Sequence, residues 1–144
     1  MLKKNLLDIQ YMLYSVYMKF LIVEDSRPAR NLIKSYVSEM TFETPVKFFE
    51  AEDGEAALTI LQKNPIHFIF MDWYLATEMT GLDVLKEIRK DDKFKKVPVF
   101  MISSGSDKSN VIESLKYGAN GYIVKPIDKK AFVEKVLKLL ASTR

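Results

Sequence analysis

At 144 residues, with 48% apolar and 28% charged residues and a net charge of +3, the chain has the size and make-up of one soluble globular domain. It holds no cysteine and a single histidine, which excludes disulfides, thiolate chemistry and His-rich metal sites and leaves oxygen ligands for any bound cation. No apolar run approaches the roughly 18 residues of a membrane span, and the basic residues are scattered, so neither a bilayer nor nucleic acid is indicated and a cytoplasmic location is expected.

Residues 1–17 form an extension ahead of a natural start at Met18-Lys19. Leu2, Leu6, Ile9, Leu13 and Val16 or Tyr17 recur at helical spacing, so the stretch reads as a short amphipathic helix packed on the domain, an interaction helix, or a non-native start. Asp8 and Gln10 interrupt its apolar run, which argues against a signal peptide. Residues 18–144 then make the domain.

Phe20-Leu-Ile-Val23 reads as a buried strand ending in Glu24-Asp25. Ser26 is placed to cap a helix whose first turn tolerates Pro28 and whose apolar face is Ala29, Leu32, Ile33, Tyr36, Val37 and Met40. Val46–Ala51 alternates enough for a strand near a sheet edge. Asp53-Gly54 opens a helix with Ala57, Leu58 and Leu61, which Asn64-Pro65 stops. Ile66-His-Phe-Ile-Phe-Met-Asp72 is an unbroken apolar run closing in a carboxylate, as expected of a central parallel strand buried on both faces. A ten-residue stretch from Asp72 to Gly81 leads to a third helix with Leu82, Leu85 and Ile88. Val97-Pro-Val-Phe-Met-Ile102 is a fourth strand, closing in Ser103-Ser104-Gly105. Ser106 or Asp107 would cap a fourth helix carrying Val111, Ile112 and Leu115, and Gly118 would stop it. Gly121-Tyr-Ile-Val124 is a fifth strand ending in Lys125-Pro126, and Asp128 would cap a last helix with Phe132, Val136, Leu139 and Leu140 on one face. Five strands alternating with five helices imply an α/β fold of parallel strands, right-handed crossovers and helices on both faces.

In such a sheet Glu24, Asp25, Asp72, Ser103 and Lys125 all emerge at the carboxyl edge, where open α/β folds bind ligands. If the strand order reverses beside the first strand, the first and third strands are neighbours and three carboxylates crowd one crevice. Close like charges repel unless a cation neutralises them. Mg²⁺ suits that need, because it takes oxygen ligands and keeps room for water and phosphate oxygens. It would also leave Asp72 ionised and able to attack phosphorus, with Lys125 and Ser103 meeting the transferred group.

Val23-Glu24-Asp25-Ser26, Phe70-Met71-Asp72-Trp73, Gly81-Leu82, the run from Pro98 to Ser103, and Gly121-Tyr122-Ile123-Val124-Lys125-Pro126 stand in this order, each at the end of the fitting strand. Over about residues 18–142 the chain resembles a response-regulator receiver domain, similar to the single-domain chemotaxis-type regulators. The resemblance implies a flavodoxin-like doubly wound sheet of order 2-1-3-4-5. It implies Asp72 as phosphoacceptor and Mg²⁺ held by Asp25 directly, by Glu24 mainly through water, by Asp72, and by the backbone carbonyl of Tyr74. It further implies Ser103 and Lys125 as partners of the phosphoryl group, a cis Lys125-Pro126 bond, and Tyr122 as an aromatic that turns with phosphorylation. Three departures fall in the loop after Asp72: one extra residue before Gly81, Ala76 where proline is frequent, and the bulky Tyr74. They bear on water access and remove no acceptor, metal or switch residue.

His67 sits at the far end of its strand from the carboxylates and reads as structural, so a phosphoryl donor must come from another protein. The expected function is that of a stand-alone response regulator, not an enzyme beyond its own phosphorylation and dephosphorylation. Its donor would be a histidine kinase or phosphotransfer protein. Its downstream protein would be read by the face of the fourth helix, fifth strand and fifth helix, without direct DNA binding. A phosphate-independent interaction module is the alternative. A haloacid-dehalogenase-like phosphatase fits less well, since its nucleophile would follow the first strand.

Overall fold

The computed structural model describes residues 17–42, 44–104 and 108–142. The five expected strands are β1 (Met18–Val23), β2 (Val46–Ala51), β3 (Phe68–Asp72), β4 (Val99–Ser103) and β5 (Gly121–Val124). The five helices are α1 (Arg27–Ser38), α2 (Gly54–Lys63), α3 (Gly81–Lys90), α4 (Lys108–Lys116) and α5 (Lys129–Ser142). All strands are parallel, in the order β2-β1-β3-β4-β5, so β3 is central and the order reverses beside β1. Residues 1–16, and Gly105, Ser106 and Asp107 with the cap expected there, lie outside the described residues.

Side chains alternate across each strand, and each face of the sheet builds its own core. Leu21, Val23, Ile69, Met71, Val99 and Met101 meet α2 and α3 on one face. Phe20, Ile22, Phe68, Phe70, Phe100 and Ile102 meet α1 and α5 on the other. This second core is a run of phenylalanines, with ring centroids 4.9 Å apart for Phe68 and Phe70 and 5.2 Å for Phe70 and Phe132. Offset and tilted rings at these separations add to the burial of their area.

Local chemistry starts and stops the helices. The Ser26 hydroxyl accepts from the Ala29 amide, Asp53 from Ala56, and Asp128 from Ala131, each satisfying a first-turn donor. Thr80 and Asp83 form a reciprocal capping box on α3 that the periodicity did not single out. Gly118 ends α4 at φ +97°, a conformation that favours glycine.

Two expectations are corrected, and one helix buries less than its apolar residues would allow. β3 begins at Phe68 and β4 at Val99, where pairing with β1 and β3 begins, while Ile66 and Val97 pack into the core from the incoming connections. In α1 the buried positions are Arg30, Ile33 and Val37, and Leu32 is exposed, because the helix turns its Arg30 side toward the end of β1. In α4 only Ser114 is buried, while Ile112 and Leu115 are 66% and 50% exposed.

The start of α3 is pressed against the end of β3: the Gly81 amide donates to the Trp73 carbonyl at 2.8 Å. A methyl group at Gly81 would overlap the carbonyl oxygen of Asp72, a backbone atom with no freedom to give way. Gly81→Ala is therefore expected to destabilise the protein by about 1–3 kcal/mol in urea denaturation, the range for inserting atoms into a packed site. An unchanged midpoint would show that the helix start is not constrained in this way.

Candidate functional site

The strand ends bring the site together through the register of the sheet. The Glu24 amide donates to the Ala51 carbonyl at 2.9 Å, extending the β1–β2 ladder by one residue and holding Glu24 in line. Val23 is registered with Met71, so Glu24 and Asp72 end neighbouring strands. Asp72 is registered with Ile102, and the Trp73 amide donates to the Ile102 carbonyl at 3.0 Å. The Lys125 amide donates to the Ser103 carbonyl at 2.7 Å, which continues the β4–β5 ladder to the residue whose side chain reaches furthest.

From there the Lys125 ammonium crosses β4 and donates to Glu24 Oε1 at 2.8 Å and to Asp72 Oδ2 at 3.0 Å. Glu24 and Asp72 are buried and Asp25 is exposed, yet one carboxylate oxygen from each of the three lies within 4.8 Å of the others. Burial pushes the Glu24 carboxyl up to about 7; the adjacent Asp72 adds to the rise and the Lys125 ammonium opposes it. For Lys125, burial works downward, but the hydrogen bonds to Glu24 and Asp72 outweigh it and hold the ammonium above the ordinary lysine range.

Three acids thus face one ammonium. Glu24 Oε2 is buried without a hydrogen-bond partner among the described residues. A buried carboxylate oxygen that lacks a donor, in a cluster with surplus negative charge and no nitrogen or sulfur ligand, fits a hard divalent cation. Ser103 is fully buried, and its Oγ also lacks a partner among the described residues.

The remaining residues singled out in the sequence take distinct places. Tyr74 is 57% exposed; its amide donates to Asp72 Oδ1 at 3.3 Å, and its hydroxyl accepts from Asn110 Nδ2 of α4 at 3.4 Å. Tyr122 is buried in the core on the α2–α3 side of the sheet. The Lys125-Pro126 bond is cis. His67 lies at the amino end of β3, where its Nδ1 accepts from the Lys19 amide at 2.9 Å; burial and then the charge of Lys19 lower its pKa.

One residue beside the site was passed over in the sequence. Arg30 is 7% exposed and donates through Nη1 to the carbonyls of Glu24 at 2.8 Å and Asp25 at 3.4 Å. Its signal was available: it stands three residues before Ile33 and seven before Val37, on the stripe that α1 buries.

A family model described as the response regulator receiver domain matches residues 20–137. The chain is 38% identical over 122 residues to the chemotaxis protein CheY-3 of Vibrio cholerae serotype O1, covering 85% of this chain and 91% of that protein. Among solved structures, the receiver domain of the Francisella response regulator 1452 matches with a TM-score of 0.76 at 28% identity, covering 88% of this chain and 99% of that one. The Mn(2+)-bound form of response regulator Rcp1 matches with a TM-score of 0.70 at 26% identity, covering 83% and 88%.

The raised Glu24 carboxyl carries a pH dependence of stability. A carboxyl whose folded value lies near 7, above the ordinary 4.5, favours folding while protonated; the benefit is complete at low pH and is lost as pH rises from 4.5 through 7. In EDTA this group is expected to lower stability by about 2–3 kcal/mol between pH 5 and pH 8. Glu24→Gln, which keeps an acceptor for Lys125, should recover about 2 kcal/mol at pH 8 and little at pH 5. Urea denaturation at the two pH values checks this, and identical pH slopes for parent and variant would count against it.

Proposed function

The chain belongs to the response regulator receiver family, and we propose on that premise that it is a stand-alone phosphoacceptor switch of two-component signalling, with Asp72 as the acceptor. The observation that carries the assignment is the convergence of Asp72 with Glu24, Asp25 and the Lys125 ammonium at the end of the central strand. A carboxylate oxygen of Asp72 attacks the phosphorus of a phosphohistidine on a histidine kinase or phosphotransfer protein. The O–P bond forms as the P–N bond breaks, and the departing imidazole takes a proton from water. Asp72 is left as an acyl phosphate.

Glu24, Asp25, Asp72 and the backbone carbonyl of Tyr74 would hold Mg²⁺; the similar regulator Rcp1 has a Mn(2+)-bound form. When bound, the cation supplies the positive charge that keeps the carboxylates ionised and screens the incoming phosphate. Lys125 adds a second positive charge, already oriented by two hydrogen bonds. Ser103 offers a buried hydroxyl one strand away, suited to donate to a phosphoryl oxygen. His67 is spoken for by the Lys19 amide at the opposite edge, so the donor histidine is external. The chain then acts on no outside substrate; its chemistry is limited to its own phosphorylation and dephosphorylation.

The readout is assigned to the face of α4, β5 and α5, with Tyr122 as the aromatic that follows the phosphoryl group. A groove of about 480 Å³ opens there, with Val111, Leu115, Tyr122 and Leu139 in its apolar lining and Lys135 and Lys138 beside them. Ile112 of α4 and Val124 of β5 are exposed as well. That face suits a downstream protein rather than DNA. A cytoplasmic location accords with this role, and among the described residues no helix is long and apolar enough to cross a membrane.

Trp73, the sole tryptophan, is buried beside the acceptor and reports on the site. Its fluorescence is expected to change with Mg²⁺ and to change again, reversibly, with acetyl phosphate, while Asp72→Asn responds to acetyl phosphate not at all. No response of the parent to either addition would overturn the metal-dependent switch and favour a phosphate-independent interaction module.

A further inference from the structure

A buried arginine needs an explanation, because a guanidinium is seldom taken out of water without a structural return. Arg30 distributes its donors over two groups. Nη1 points forward to the backbone carbonyls of Glu24 and Asp25, at 2.8 and 3.4 Å. Nε points sideways to Glu50 Oε1 at 3.0 Å, and Nη2 lies 3.6 Å from Glu52 Oε1. Glu50 is in turn held by Lys34 of α1 at 3.1 Å.

The division matters for the acid pair that ends β1. Past Glu24 the β1–β2 ladder stops, its last bond being that from the Glu24 amide to the Ala51 carbonyl. The chain must then turn into α1, whose first turn is closed by the Arg30 amide on the Ser26 carbonyl at 3.0 Å. Arg30 therefore fastens this turn twice, by its amide to Ser26 and by its side chain to Glu24 and Asp25. The carboxylates of Glu50 and Glu52 balance its charge from the β2 side, so the guanidinium leaves the site's own carboxylates to Lys125 and to a cation.

We infer that Arg30 is a positioning residue for the metal site: it fixes the backbone of Glu24 and Asp25 from behind, so that their carboxylates are held ready for a divalent cation without themselves being consumed by the arginine. The inference rests on the magnesium-dependent reading given above and goes beyond it by assigning a role to a side chain that touches neither metal nor phosphate. Positioning of ligands from behind is worth roughly tenfold or more in affinity where it has been measured for metal sites.

The test separates positioning from general stability. In the full chain, Mg²⁺ titrations followed by Trp73 fluorescence are compared for the parent, Arg30→Met, Arg30→Lys and Val37→Ala. Val37→Ala removes buried volume from the same helix at a position that does not line the cleft around Glu24, Asp72 and Lys125. Arg30→Met is expected to weaken Mg²⁺ binding five- to twentyfold while phosphorylation by acetyl phosphate at saturating Mg²⁺ stays within twofold of the parent. Arg30→Lys, which can reach a carbonyl but lacks the guanidinium's separate donors for Glu50, should fall between. Val37→Ala should lose stability and keep the parent's Mg²⁺ affinity. Equal affinity for parent and Arg30→Met overturns the inference; should Arg30→Met fail to fold, equal affinity for parent and Arg30→Lys overturns it. A Val37→Ala variant that weakens Mg²⁺ as much as the arginine variants also overturns it, since lost stability alone would then account for the effect. A parent that binds no Mg²⁺ while remaining folded defeats the magnesium reading itself, and this inference with it, and is told apart by the parent titration alone.

Discussion

The constraint on which the rest of this molecule depends is the unequal charge at the carboxyl edge: three carboxylates gathered about one ammonium, two of the three buried. Such a cluster is unfavourable in itself, and burial makes it more so. It persists because each member is fixed by something other than its neighbours' charge. Glu24 is held by the ladder to β2, Asp72 by the centre of the sheet, and Lys125 by the ladder to β4. The two cores, one on each face, supply the stability that the edge withholds. This division is common to binding sites built on rigid scaffolds, where function occupies the least stable part of the fold.

The chemistry follows from the same imbalance. A site with surplus negative charge is receptive to a hard cation, and a cation so placed prepares the edge for a phosphate that the carboxylates alone would repel. Lys125 is the counterweight: it limits repulsion between Glu24 and Asp72 and stands where new negative charge would develop. Because the ammonium bridges β5 to β1 and β3, any change of charge on Asp72 is felt at the strand that flanks α4 and α5.

Much of this was legible in the sequence because it is written locally. Ser26 and Asp128 as caps, Asp53-Gly54 as a helix start, and Gly118 as a stop are decided by a residue and its near neighbours, and they fall where the pattern placed them. The order 2-1-3-4-5 is not local, and it followed from family resemblance rather than from periodicity. Strand boundaries shifted by a residue or two because a ladder extends only as far as its partner does, and partners lie elsewhere in the chain. Arg30 was missed for a related reason. A charged residue on an apolar stripe looks like a solvated interruption until Glu50 and Glu52, twenty or more positions away, are seen to arrive beside it. For α4 the sequence named Val111, Ile112 and Leu115 without a burial pattern, and Ile112 and Leu115 face outward.

That last feature makes the molecule mechanically uneven. The side carrying α1 and α5 is braced by interlocked aromatic rings, whereas among its described residues α4 buries only Ser114 and turns Ile112 and Leu115 outward. A frame that is stiff on one side and compliant on the other deforms in a single direction when its edge is loaded. In the proposed switch, the element with the least burial to give up is the helix whose apolar side chains already face outward.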